Sequence, residues 1–248
     1  MAIIYDINAD GVLEVVMDNP PVNALGINDT QEIAKIFESV RKNENVKVAI
    51  LTATGKGFCA GVDIKEIENL PKNEGILKIN RSCWEAFASV YECAVPVIAA
   101  VNDFCLGSGV GLAGAADIVI AAEDSQFGLP EVDNGALGAL THLTRLVPQQ
   151  RARQMLYTCE TAGAEELLGY GSVLEVVPLS NLMESSRQLA KTIAQKPTNT
   201  IRAAKESANG IELVDIRNSY RYEQGFTYEL NLMGEGEKAR QAFLEGRR

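Results

Sequence analysis

Four short runs rich in β-branched residues constrain this chain most: residues 12–17 (VLEVVM), 46–53 (VKVAILTA), 96–101 (PVIAAV) and 117–122 (DIVIAA). Each is bounded by turn-forming residues and is apolar along most of its length, as strands buried on both faces are. Between the first two, NDTQEIAKIFESVRK sets Ile33, Ile36, Phe37 and Val40 at helical spacing behind an Asn28 or Asp29 cap. Between the next two, ILKINRSCWEAFASVYE repeats the pattern with Ile76, Ile79, Cys83, Phe87 and Val90. Strands alternating with helices in this order require parallel pairing through right-handed crossovers, so the fold class is α/β. From residue 149 onward the pattern becomes helical. It predicts helices at 149–158, 164–170, 180–195, 197–209, 213–232 and 235–245, interrupted by a strand at 172–177.

Two glycine-rich loops follow buried strands. The first, GKGFCAGVDI, ends at Ile64; the second, FCLGSGVGLAGAAD, runs from 104 to 117 and carries Gly109, Gly111 and Gly114 at G-x-G-x-x-G spacing. A dinucleotide-binding loop would open a helix of ordinary length after the first strand of its unit, with an acid about 20 residues further on. Here the next strand begins too soon, and two strand-helix units precede the loop. One reading is that the glycines only permit close backbone packing. The other is that two such loops, at the ends of neighbouring parallel strands, converge their N–H groups on a ligand as an oxyanion hole.

Composition removes other chemistries. With 23 Lys and Arg against 33 Asp and Glu the net charge is -10, and no basic block offers a nucleic-acid groove. No apolar run approaches the ~18 residues of a membrane span, and the N-terminus lacks the charged and apolar regions of a signal peptide, so a cytoplasmic location is expected. Five cysteines without a C-x-x-C pattern read as reduced core residues rather than disulfides or a zinc site. The single histidine, His142, excludes multi-histidine metal sites, and no metal is expected. Carboxylates and backbone amides must then carry any catalysis.

The segments NPPVNAL at 19–25, GKGFCAGVDIKE ending at Glu66, the block from 93 to 132 that closes in F-G-L-P-E, and AFLEGR at 242–247 together resemble the crotonase superfamily, the enoyl-CoA hydratases and isomerases. The resemblance implies a spiral of ββα units over residues 1–190 and a C-terminal helical trimerisation region over 191–248, assembled as a homotrimer or homohexamer. It implies an acyl-CoA substrate, with coenzyme A entering as part of that substrate and no separate cofactor. Carried over by position, the amides of Val62 and Ser108 form the oxyanion hole. Pro21, Val22, Ala24, Ala60, Asp63, Ile64, Leu106 and Gly111 line the CoA and acyl pocket, while Lys238 and Phe243 fall in a C-terminal region that touches CoA.

Two acids position water in the hydratases of this family, one in a G-G-G-x-E pattern and one in F-G-x-P-E. Here the first position is Gly111 and the second is Glu131. A lone carboxylate can shuttle a proton but is poorly suited to orient water from two sides. An apolar setting beside Phe127, Leu129 and Pro130 is expected to raise its pKa. Asp133 and His142 are candidate assistants, and for His142 a core role is an equal alternative. The segment VDNGALGALTHLTRLVP after Glu131, with NRSC at 80–83 and YRYEQGFTYELNL at 220–232, is most similar to a branch that opens a steroid-derived ring hydrolytically. An enoyl-CoA isomerase or weak hydratase, and a non-catalytic CoA-ester-binding relative, are the alternatives.

Overall fold

The computed structural model describes residues 2–71 and 73–247. The chain enters as an antiparallel hairpin, β1 (Ile3–Ile7) and β2 (Val12–Met17), followed by α1 (Ile27–Ser39). Successive turns of a spiral then each give one strand to a large sheet and the next to a small one. The first turn is β3 (Val48–Ala53) and β4 (Gly57–Cys59), followed by α2 (Ile64–Glu68) and α3 (Glu74–Tyr91). The second is β5 (Val97–Val101) and β6 (Phe104–Leu106), followed by α4 (Ser108–Ala115). The third is β7 (Ile118–Ala122) and β8 (Gln126–Gly128), followed by α5 (Leu140–Leu143) and α6 (Gln149–Thr158). After these, β9 (Thr161–Gly163), α7 (Ala164–Tyr170) and β10 (Glu175–Val177) complete both sheets. Four helices end the chain: α8 (Leu182–Ala194), α9 (Thr198–Ile211), α10 (Ile216–Leu232) and α11 (Glu235–Leu244).

The large sheet has the order β1-β2-β3-β5-β7-β10 and the small one β4-β6-β8-β9. All pairings are parallel except β1 with β2 and β8 with β9. The four apolar runs therefore lie side by side as β2, β3, β5 and β7. Their alternation explains why so little polar residue interrupts them. Leu13, Val15, Ala49, Leu51, Val97, Ala99 and Val119 face a main core shared with α1, α3 and α4, whereas Val12, Val48, Ile50, Ile98, Ala100 and Ile120 face a second core under α8. Both faces lose their water, and each fully buried aliphatic side chain contributes about 1.5–3 kcal/mol.

Several boundaries differ from the sequence expectation for identifiable reasons. Helix α1 starts at Ile27 behind Gly26, a residue or two before the predicted cap. Asp29 sits inside the first turn and accepts from Gly26 N at 3.0 Å, while Glu66 of α2 accepts from Ile27 N at 2.9 Å. A distant carboxylate thus does part of the work assigned to a local cap. The late strand begins at Glu175 instead of 172, because Ser172 turns to donate to Leu167 O. Residue periodicity gives no sign of the small sheet, because its strands are three residues long; only the ββα units that the resemblance implies account for it.

The C-terminal helices are tied to the spiral by buried polar contacts. Lys205 of α9, nearly inaccessible, pairs with Asp117 at 2.7 Å, and Asp117 also accepts from Val97 N at 2.8 Å. Helix α10 lies across α3 and α5, where Glu223 accepts from Leu140 N at 2.9 Å and Thr227 Oγ1 accepts from Leu137 N at 2.8 Å. Among the described residues, no helix is long and apolar enough to cross a membrane.

Candidate active site

The two glycine-rich loops lie together because β4 and β6 are neighbours in the small sheet. At the end of each strand the chain turns through a glycine with positive φ, +106° at Gly61 and +55° at Gly107. A β-carbon on Gly107 would stand 3.3 Å from Gly61 Cα and 2.8 Å from Glu131 Oε1, so the approach of the loops depends on bare backbone at this point.

Each of these glycines precedes a candidate oxyanion amide. Val62 forms an isolated parallel bridge with Leu25: Leu25 N donates to Gly61 O and Asp63 N donates to Leu25 O, both at 2.9 Å. In a parallel bridge the flanking residues make the bonds, so the N–H of Val62 points away from Leu25. Ser108 is the first residue of α4, where N–H groups have no intrahelical acceptor and the helix dipole favours negative charge. The Ser108 hydroxyl turns aside to Cys59 Sγ at 3.5 Å. Both amides border one cavity, and so does Glu131.

Glu131 follows β8 and is held by a tight turn in which Asn134 N and Ala136 N both donate to its carbonyl at 2.9 Å. Its Oε2 is enclosed and has no hydrogen-bond partner. Burial pushes the carboxyl up to about 8, a backbone amide bond draws it partly back, and the charge of Glu223 adds to the rise. A group that exchanges a proton near neutral pH therefore faces the cavity beside two converging amides.

The three glycines of the G-x-G-x-x-G spacing serve close packing. Gly109 meets Cys59, Gly114 meets the backbone of His142, and Gly111 meets the ring of Phe87, with β-carbon distances of 3.0, 2.4 and 2.3 Å. The place left by the missing acid at Gly111 is thus filled by an aromatic ring that itself lines the cavity.

Among the candidates taken from sequence, Ala60, Val62, Ile64, Ser108 and Glu131 line this cavity. Gly111 is separated from it by Phe87. His142 lies in the second layer, 5.2 Å from Phe87 and 5.8 Å from Tyr220 between ring centroids, with both ring nitrogens buried and unpartnered. Burial, with the charge of nearby Arg145 adding to it, lowers its pKa to about 3, so the imidazole is neutral. Asp63 caps α2, accepting from Lys65 N at 2.9 Å and Glu66 N at 3.3 Å. Asp133 and Lys238 flank a separate surface groove between the loop after Glu131 and α11, and Phe243 is exposed nearby on α11. Pro21, Val22, Ala24 and Leu106 do not line this cavity: the first three lie in the loop before Leu25, and Leu106 ends β6. Val22 O accepts from Ala60 N at 3.1 Å, and Leu106 pairs with Gly128.

Sequence reasoning passed over several residues. Asn23, buried with φ +52°, donates to Thr54 O and Gly57 O at 2.7 Å and accepts from Asn19 N at 2.7 Å, stapling the NPPVNAL loop to the first glycine loop. Cys83 and Phe87, whose spacing marks them as core positions of α3, also line the cavity. Tyr220, Thr227 and Arg240 close the cavity from α10 and α11; nothing in their local pattern signals this.

The profile of the enoyl-CoA hydratase/isomerase family matches residues 8–248. A protein of Rhodococcus jostii RHA1 named (7aS)-7a-methyl-1,5-dioxo-2,3,5,6,7,7a-hexahydro-1H-indene-carboxyl-CoA hydrolase is 49% identical over 99% of this chain and 95% of its own. A protein of the same name from Mycobacterium tuberculosis H37Rv is 48% identical over 95% of both chains. The solved structure of an enoyl-CoA hydratase/isomerase from Pseudoalteromonas atlantica T6c superposes with a TM-score of 0.87 at 23% identity, covering 100% of this chain and 98% of the other.

Proposed function

The chain belongs to the enoyl-CoA hydratase/isomerase family, and from that membership we propose that it is an acyl-CoA hydrolase opening a ring of a bicyclic keto acyl thioester. The reaction is of retro-Claisen type. Water adds to the ring ketone carbon while Glu131 accepts its proton. The ring C–C bond then breaks, and its electron pair is drawn toward the thioester, whose oxygen takes the charge between the amides of Val62 and Ser108. Glu131 returns the proton to the carbon set free, and the former ketone leaves as a carboxylic acid. One water is consumed.

The observation that carries this reading is Glu131, the one carboxylate among the described residues lining the cavity, together with Phe87 filling the space beside Gly111. Among the described lining residues that arrangement provides one carboxyl for proton transfer and no second one to clamp a water for addition across a double bond. The names of the two relatives close to half identical point the same way. An enoyl-CoA isomerase remains the second reading, because one carboxylate is also enough to move a proton between carbons.

Coenzyme A enters as part of the substrate, and no other cofactor takes part. Pro21, Val22 and Ala24 of the loop before Leu25, with Leu106 at the end of β6, receive its pantetheine arm, with Lys238 and Phe243 toward the C-terminus. The chain assembles as a trimer or hexamer. Exposed Ile211, Leu213, Tyr222, Phe226 and Met233 on and beside α9 and α10 support an interface there. It works in the cytoplasm.

Purified protein offered the bicyclic keto acyl-CoA should release a product 18 mass units heavier, and Glu131→Gln should abolish the conversion. Rapid hydration of crotonyl-CoA with no ring opening would overturn the proposal.

A further inference from the structure

Among the described residues lining the cavity that holds Glu131, one carries a positive charge: Arg240 of α11. Its side chain is only 13% exposed. Its head is held in place, with Nε donating to Glu68 Oε1 of α2 and Nη2 donating to Asn231 Oδ1 at 3.1 Å. Nη1 packs on Gly236, where a β-carbon would stand 2.9 Å away. The two hydrogen bonds engage two of the five N–H groups of a guanidinium.

A strap between α11 and α2 does not need to face the acyl cavity. Lys238 and Glu235, also on α11, pair at 2.9 Å on the surface. Arg240 instead lines the acyl cavity along with Ile64, Ile67 and Ile76, and it also borders the adjoining pocket that holds Glu68 and Asn231. In such surroundings a planar, permanently charged fork selects carboxylates, and it does so more strongly than in water. Hydrolytic ring opening creates a carboxylate where the substrate had a neutral ketone. Water supplies the hydroxyl, the ring C–C bond breaks, the freed carbon takes a proton, and the new acid loses its own proton to solvent.

We propose that Arg240 is a carboxylate-binding residue of the acyl cavity, which receives the acid group formed when the ring opens. The inference rests on the ring-opening reading for its physiological ligand. It predicts a binding preference that does not depend on turnover: acyl-CoA esters with a terminal carboxylate should bind better than neutral esters of equal length.

The test uses succinyl-, glutaryl- and adipyl-CoA against butyryl-, valeryl- and hexanoyl-CoA, with dissociation constants measured by calorimetry on the full-length protein. At least one carboxylated ester should bind about tenfold more tightly than its neutral partner. Arg240→Met should erase that preference while leaving the neutral ester within about twofold. Glu68→Gln, which removes the competing negative charge while keeping an amide oxygen to hold Nε, should preserve or widen it. Equal binding of both series by the unaltered protein overturns the proposal, and so does an Arg240→Met variant that weakens both series alike. The outcome separates cleanly from the reaction itself. Ring opening without a carboxylate preference removes the subsite alone, and a preference without ring opening removes the reaction assignment alone.

Discussion

Gly111 and Phe87 share one volume: a β-carbon built on Gly111 would stand 2.3 Å from both Cε2 and Cζ of the Phe87 ring. The glycine sits on α4 and the ring comes from α3, where it also meets Tyr220 at 5.1 Å between centroids. Neither residue can be understood from its own position.

Gly111→Ala should therefore destabilise the protein by ~1–3 kcal/mol through overpacking. The same change in a Phe87→Ala background should cost much less, since the ring it strikes has gone. Chemical denaturation of the two singles and the double measures the coupling. A cost for Gly111→Ala that does not depend on Phe87 would show that the two do not compete for space.

Glu131 links activity and stability through pH. Its carboxyl is raised to about 8 in the folded protein against 4.5 as its ordinary value. Between these values the native state binds more protons than the unfolded state, so its contribution to stability, complete below pH 4.5, is lost as pH rises to about 8. Glu131→Gln does not titrate. The unfolding free energy of the variant minus that of the parent, measured by chemical denaturation, should rise from pH 5 to pH 8 and then level off, a change on the order of 4 kcal/mol. If the carboxylate is the base, kcat/KM of the parent should climb over the same range to a plateau above pH 8. A parent rate that falls from pH 6 to 8 contradicts a base at this position.

The bare backbone at Gly61 and Gly107 places the two amides. Alanine at either position puts a side chain on a left-handed backbone, φ +106° and +55°, and at Gly107 its methyl would also press on Glu131. Displacing one oxyanion donor should lower kcat by about 10²-fold, with less change in KM. Steady-state kinetics on folded variants decide the matter, and unchanged kcat in both would remove these loops from the chemistry.

His142 is expected to shape acid stability and leave catalysis alone. Its folded pKa of about 3 lies below the ordinary 6.5, so as pH falls from 6.5 the unfolded state takes up a proton that the folded state refuses. Stability should drop through that window, by about 2 kcal/mol near pH 5. His142→Leu should flatten the drop while the pH profile of kcat keeps its shape. A shifted kinetic profile would place the imidazole in the reaction.

Legibility in the sequence followed the range of the interactions concerned. The four strands β2, β3, β5 and β7, and the inward faces of α1 and α3, could be read because burial on one or two faces imposes a period on neighbouring residues, as Ile79, Cys83 and Phe87 illustrate. The glycine loops stood out because side chains are missing there, and Glu131 because it closes a recognisable block. The three-residue strands of the small sheet could not be read, since their pairing comes from partners about twenty or more positions away.

By itself, then, the sequence determined the α/β alternation, the two glycine loops and the carboxylate of Glu131 after the second of them. Tertiary structure alone decided what surrounds that carboxylate: Gly61 against Gly107, the ring of Phe87 over Gly111, and Arg240 brought in from α11. The reason is physical. Local patterns record which face of an element is dry, whereas desolvation of Glu131 and competition for one volume arise only when elements far apart in the chain converge.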